Sequence, residues 1–248
     1  MTDYLTFHLT AALGAMGEFA GHERRGSLIW PGRSALIGMF GAALGLRRGD
    51  DFSALDGLKM AVAIFDAGAV LRDYHTVQTV PSAAARAPQS RPAALRDAAG
   101  RLNTTITLRD YRAAPLYGVA VWGGDLAPLA AALRRPVFTL YLGRKSCPLA
   151  APLNPQIVTA DSAEAALTTL HLPEWRADAR AAIMASDELT GAARIETRHD
   201  IATDRSKWHF APRKVAMLPV DIQPGQTRAG DAPADDAPAG TTGQGGAP

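Results

Sequence analysis

Residues 71–77 read Leu-Arg-Asp-Tyr-His-Thr-Val, and residues 103–112 read Asn-Thr-Thr-Ile-Thr-Leu-Arg-Asp-Tyr-Arg. β-branched and aromatic side chains dominate both runs, which predicts two strands of an extended β-hairpin over about 71–112. Residues 81–100 between them are rich in Ala, Pro and Arg without an apolar period, and read as a long mobile loop at the hairpin tip. Elements on either side frame the hairpin. Tyr4–Leu9 alternates in part and reads as a strand, and residues 14–31 are loop-like, with the basic pair Arg24–Arg25. A helix follows, with Ser34 as candidate N-cap, Leu36, Ile37, Phe40 and Leu44 at helical spacing, and Gly45 as its stop. Leu58–Phe65 reads as a strand, Tyr117–Val121 as another, Leu126–Leu133 as an amphipathic helix and Val137–Leu142 as a further strand. The order β-α-β, hairpin, β-α-β predicts an α+β fold, a ferredoxin-like or RRM-like domain over 1–150 with an inserted β-hairpin thumb. Beyond Pro148, a short helix at 162–170 and strands at Arg194–His199 and Trp208–Leu218 predict a small β-rich C-terminal subdomain over 151–222. Residues 223–248 hold almost no bulky apolar side chain and read as a disordered tail.

Charge is concentrated in the hairpin. The chain has a net charge of +2, and residues 70–112 alone hold seven Arg (72, 86, 91, 96, 101, 109, 112) against Asp73, Asp97 and Asp110. The tail is acidic, with Asp231, Asp235 and Asp236 against Arg228, so the remainder of the chain balances to zero. Segregation of this kind is the footprint of a nucleic-acid contact. With four Lys only, the cations are mostly guanidinium groups, which match phosphate in a planar fork and stack on bases; a GC-rich genome gives the same bias. The single Cys147 precludes an internal disulfide and fits a reducing cytoplasm. No run approaches the ~18 apolar residues of a membrane span, and Met1–Leu9 does not read as a signal peptide. A cytoplasmic, membrane-free protein is expected.

Three constellations carry binding chemistry. In the first, residues 141–148 (Tyr-Leu-Gly-Arg-Lys-Ser-Cys-Pro) end a strand in a glycine turn, and Arg144 and Lys145 bring charge to the point where Gly143 lets a backbone approach. In the second, Arg72, Tyr74 and His75 on one hairpin strand face Arg109 and Tyr111 on the other, a pattern suited to stacking bases while cations track phosphates. The third is the helix start at Arg33 and Ser34, which can hold a phosphate. No metal or cofactor is expected, because the six histidines lack ligand spacing and no dinucleotide or nucleophile motif is present. Two alternatives stand beside an RNA-holding subunit. One is a generic RNA-binding protein. The other is a metal-independent endoribonuclease using Tyr74, His75 and Lys145 as base, donor and cation.

The opening strand, Gly14-Ala15-Met16, residues 30–38, Leu71–Val77 and Tyr141–Pro148 together resemble the CasD family, over about residues 1–150 and more weakly through Arg194–Leu218. CasD is a subunit of the type I-E CRISPR surveillance complex, Cascade. The resemblance implies an RRM-like fold with a protruding thumb that caps the 5′ repeat-derived handle of the CRISPR RNA in antiviral defence. It also implies contacts with the backbone subunit and the large subunit, target DNA being met only through the complex, and no catalytic role. On this chain it makes Arg109 the hook for the handle, with Arg33, Ser34 and Gly143–Lys145 along the same RNA path.

Overall fold

Tyr4 to Leu9 lies near the middle of the fold because both of its faces are covered. In the computed structural model, which describes residues 1–17, 23–85, 87–207 and 209–225, every residue of β1 (Thr2–Thr10) from Tyr4 onward is buried. Strand alternation sends Leu5, Phe7 and Leu9 to one side and Tyr4, Thr6, His8 and Thr10 to the other. The remaining elements, in chain order, are β2 (Leu13–Gly14), β3 (Arg24–Arg25), α1 (Arg33–Leu44), α2 (Ser53–Asp56), β4 (Lys59–Asp66), β5 (Ala69–Thr79), α3 (Arg91–Ala98), β6 (Asn103–Ala113), β7 (Leu116–Trp122), α4 (Ala127–Arg134), β8 (Gln156–Ala160), α5 (Ala163–Thr168), β9 (Ala181–Ser186), β10 (Arg194–Asp204) and β11 (His209–Ile222). Seven strands form one sheet in the order β10-β11-β9-β4-β7-β1-β8. α1 and α4 lie on the face of Leu5, Phe7 and Leu9, where Phe40 meets Phe7 edge-on at 6.0 Å. α5 covers the other face through Ala163, Ala166 and Leu167, beside Tyr4, Ala61 and Ala120. His8 sits on that side, and burial pushes its imidazole down to about 4, so it is a neutral core residue.

The hairpin is a second sheet. β5 pairs with β6 along its full length, with Leu71 opposite Tyr111 and Arg72 opposite Asp110. Along the other edge of β6 run β2, antiparallel at Arg112 and Ala113, and β3, parallel at Leu108 and Arg109.

Four sequence expectations are corrected. Val137–Leu142 forms no strand: the Val137 and Phe138 amides donate to the Ala43 and Ala42 carbonyls in the last turn of α1. The place beside β1 goes to β8, with Tyr4 opposite Val158. The tip is not all loop, because Ser90 caps α3 by accepting from Ala93 N, with Pro92 in the first turn. Finally, the strands after residue 150 build no sheet of their own. β9, unread in the sequence, pairs with both β4 and β11 and carries β10 and β11 into the main sheet, so Val215 and Met217 join the central core. The disorder expected of 223–248 falls, from residue 226 on, outside the described residues, as does Trp208 at the start of the last expected strand.

Candidate nucleic-acid interface

Alternation divides the hairpin motif between two faces. Cross-strand partners share a face, so Arg72, Tyr74 and Asp110 project to one side, while Asp73, His75, Arg109 and Tyr111 project to the other.

The first face is held by a clamp. Arg72 Nε donates to Asp110 Oδ1 at 2.7 Å, and Arg24 donates to Oδ2 through Nε at 3.1 Å and a terminal nitrogen at 2.8 Å. One carboxylate thus ties the middle of β6 to β5 and to β3. The Arg72 and Arg24 hydrogen bonds pull the buried Asp110 carboxyl down to about 2. Tyr74 beside the clamp is 69% exposed and free to stack. Because the folded pKa lies below the unfolded one, the clamp's stabilisation is complete above the ordinary carboxylate pKa near 4 and is lost as pH falls toward about 2. Protection of the β6 amides relative to their intrinsic exchange rates should therefore hold down to about pH 4 and fall below it, whereas Asp110→Asn should show that lower protection already at neutral pH.

Arg144 joins the second face, its guanidinium 4.8 Å from the Tyr111 ring centre. It arrives there on a tightly closed turn. Leu142 N donates to Cys147 O at 2.8 Å, Cys147 N to Arg144 O at 2.8 Å, and Tyr141 bridges to Pro148. Ala15 N donates to Leu142 O at 3.0 Å, locking the turn onto the Gly14–Met16 loop. Gly143 has φ +86°, and a Cβ there would stand 1.9 Å from the Ala15 carbonyl oxygen, so only glycine fits. Lys145 and Ser146 are exposed and Tyr141 is partly so. Arg109 Nε and one terminal nitrogen of Arg144 are buried without an acceptor among the described residues. Both residues are partly exposed, and guanidinium groups beside an aromatic ring are an arrangement that takes a phosphate oxygen and stacks a base. Arg25, exposed and in register with Arg109, extends the same cationic face. Sequence reading noted the Arg24–Arg25 pair without assigning it to the site; its basic doublet was the available signal.

Arg33 and Ser34 do not join this surface. The N-cap of α1 is Gly32, not Ser34, and Asp200 fills the helix start, with Oδ2 accepting from Arg33 N at 2.7 Å. The buried Arg33 guanidinium donates to Leu58 O and Asp56 O, both at 2.6 Å, and to Asp187 at 3.3 Å. A protein carboxylate stands where the phosphate was expected. The Tyr74–His75–Lys145 trio is not assembled either, since adjacent strand residues send Tyr74 and His75 to opposite faces. Among the described residues no group of His, Cys, Asp and Glu can hold a metal ion, and no helix is long and apolar enough to cross a membrane.

The sheet-dominated α+β fold agrees with comparison to known proteins. A family described as CRISPR-associated protein (Cas_Cas5) matches residues 4–216, and the chain belongs to this Cas5 family of CRISPR-associated proteins. At the level of particular relatives, it is 34% identical over 172 residues to the CRISPR system Cascade subunit CasD of Escherichia coli (strain K12), covering 62% of this chain and 70% of that one. A chain of a CRISPR RNA-guided surveillance complex superposes with TM-score 0.66 and 27% identity, over 88% of this chain and 90% of the other. A Cas protein crystal structure shares the fold, with TM-score 0.61 and 23% identity over 90% and 100% of the two chains.

Proposed function

We propose that this protein is a non-catalytic subunit of a type I-E Cascade complex in the cytoplasm, where it holds the 5′ repeat-derived handle of the CRISPR RNA. The observation that carries the reading is the partly exposed Arg144 guanidinium over the Tyr111 ring, with Arg109, also partly exposed, projecting to the same face. Arg25, Lys145 and the turn pinned at Gly143 extend the grip, and Arg72 acts through its clamp on Asp110. Tyr74, His75 and Tyr141 offer rings to bases along the hairpin. The relative named as a Cascade subunit and the chain from an RNA-guided surveillance complex support the assignment. An RRM-like core is supported by the order β4-β7-β1-β8 with α1 and α4 on one face, and the β5–β6 hairpin is then its thumb. The backbone and large subunits are the protein partners, and target DNA is reached through them.

Co-purification with the other subunits and sequencing of the bound RNA tests this: 5′ repeat-derived sequence is expected, and its absence refutes the reading. Arg109→Ala should weaken guide capture by about tenfold or more, as loss of one charge-assisted contact does, while leaving the thermal midpoint nearly unchanged. The slope of log affinity against log salt should flatten by about 0.7, the value of one single-strand phosphate contact.

A further inference from the structure

Trp175 is 65% exposed, whereas Trp30 and Trp122 are only 2% and 7% exposed. It belongs to neither core cluster, so core packing does not account for its indole. The backbone that carries it is nonetheless fixed. Glu174–Arg176 is a 3₁₀ turn in which Arg176 N donates to Pro173 O at 2.8 Å. Ala177 N to Glu174 O and Ala179 N to Arg176 O continue the same three-residue spacing. The Arg176 side chain turns inward. One terminal nitrogen donates to Asp66 at 2.7 Å and the other to Ala114 O at 3.2 Å, which pins the turn to the root of the hairpin, between β6 and β7. In a helix of three residues per turn, positions three apart lie one above the other. Trp175 and Asp178 therefore share one side of the turn, a third of a revolution from Arg176, and both are exposed.

We propose that Trp175 and Asp178 form a docking point for another protein chain of the complex, which lays an Arg or Lys side chain over the indole and pairs it with the carboxylate. The inference rests on the complex proposed above. The face of an indole attracts a cation, and a carboxylate on the same side adds a charge-assisted hydrogen bond to it. A tryptophan carried on a turn already fixed by its own hydrogen bonds loses little freedom on binding, which is the character of an interface anchor. A nucleic acid could stack on the ring, but its phosphates would meet Asp178 and the exposed Glu174. Across residues 173–180 the exposed charges are these two acids against Arg180, because Arg176 is engaged by Asp66. That balance opposes a phosphate backbone, which needs clustered cations, and suits a cationic protein surface.

The test uses the complex assembled on guide RNA and purified through a tag on this protein, with every other subunit counted by mass spectrometry. Trp175→Ala and Asp178→Lys should each cut retention of the same subunit by about tenfold or more, as truncation of an anchor and reversal of a contact charge do. Guide RNA content and the thermal midpoint of the isolated protein should stay unchanged. In the unmodified chain, hydroxyl radicals should oxidise Trp175 in the isolated protein and spare it in the complex. Full retention of every subunit by either variant, or equal oxidation of Trp175 in both states, overturns this inference alone. Loss of guide RNA with either variant also overturns it, in favour of base stacking. Dimerisation of the isolated protein that Trp175→Ala abolishes overturns it in favour of a second copy of this chain. Failure of the unmodified protein to co-purify with guide RNA and other subunits overturns the proposed function and this inference with it.

Discussion

Arg213→Met is expected to lower the stability of the fold by about 3–5 kcal/mol, the usual cost of removing one partner from a buried ion pair. The Arg213 side chain is 9% exposed and serves two carboxylates at once. Its Nε and one terminal nitrogen bond Asp200 at 2.6 and 3.0 Å, and the other terminal nitrogen bonds Asp187. Methionine restores the apolar stem but leaves Asp200 with the Arg33 amide alone and Asp187 with Met60 N at 3.0 Å and Arg33 at 3.3 Å. Arg33 cannot move to compensate without releasing the Leu58 and Asp56 carbonyls. Urea unfolding should show a lower midpoint with unchanged slope. Adding Asp200→Asn should recover part of the loss, because uncompensated charge and not volume is its cause. The deficit should also depend on pH. Burial already pushes the Asp187 carboxyl up, and Arg213 is the strongest influence holding it down. In the variant the folded pKa rises further above the unfolded one. The folded state then binds the proton more readily, so the deficit should shrink as pH falls through the raised value.

That network also shows where local sequence reading stops. Ser34 and Arg33 look like an anion-ready helix start because the first turn of any helix leaves amides open. What closes it is Asp200, 167 positions away, and what holds the guanidinium includes Asp187, 154 positions away. Neither partnership leaves a trace in the helix itself. Elements whose cause is local were legible: β1 from partial alternation, α1 from its spacing and the αL stop at Gly45, and the hairpin from its β-branched runs. The capped helix α3 carried its Ser90 and Pro92 signals, but the Ala, Pro and Arg composition around them read as loop. Val137–Leu142 has strand composition, but its first two amides go to last-turn carbonyls of α1 and Leu142 N to Cys147 O, not to the sheet.

The candidate face was legible in kind and not in arrangement. Arg and aromatic residues at 72–75, 109–111 and 141–145 mark segments that meet where Arg144 lies over Tyr111, and the two-residue period already separates Arg72 and Tyr74 from His75. Nothing local shows that Asp110 draws two arginines into a structural clamp, while Arg109 and Arg144 gather on the Tyr111 face. This division predicts different outcomes for arginines that look alike in sequence. Loss of Arg72 loosens the hairpin root, while loss of Arg109 leaves the hairpin intact and removes a ligand contact.

Gly143→Ala is expected to have the largest effect on RNA capture of any single methyl group added to this chain. Two independent obstacles meet at the position. The backbone is left-handed at φ +86°, which costs an L-residue about 1–2 kcal/mol by itself. The new Cβ would also stand 1.9 Å from the Ala15 carbonyl oxygen, with the Ala15 carbonyl carbon at 2.6 Å. Backbone cannot yield as a flexible side chain would, so the turn must lift off the Gly14–Met16 loop. The bond from Ala15 N to Leu142 O then breaks, and buried Leu142 leaves its seat over Gly14. Arg144 follows, losing the Tyr111 ring, and Lys145 moves with it. Stability should fall by roughly 4 kcal/mol or more, in the range where named steric causes operate. Guide capture should fall about a hundredfold, as two charge-assisted contacts are displaced together. Arg144→Ala separates the two consequences: it should weaken capture by about tenfold while the thermal midpoint stays near that of the parent chain. If Gly143→Ala bound the guide normally, the turn would have no part in the grip, and the proposed RNA path along Gly143–Lys145 would be wrong.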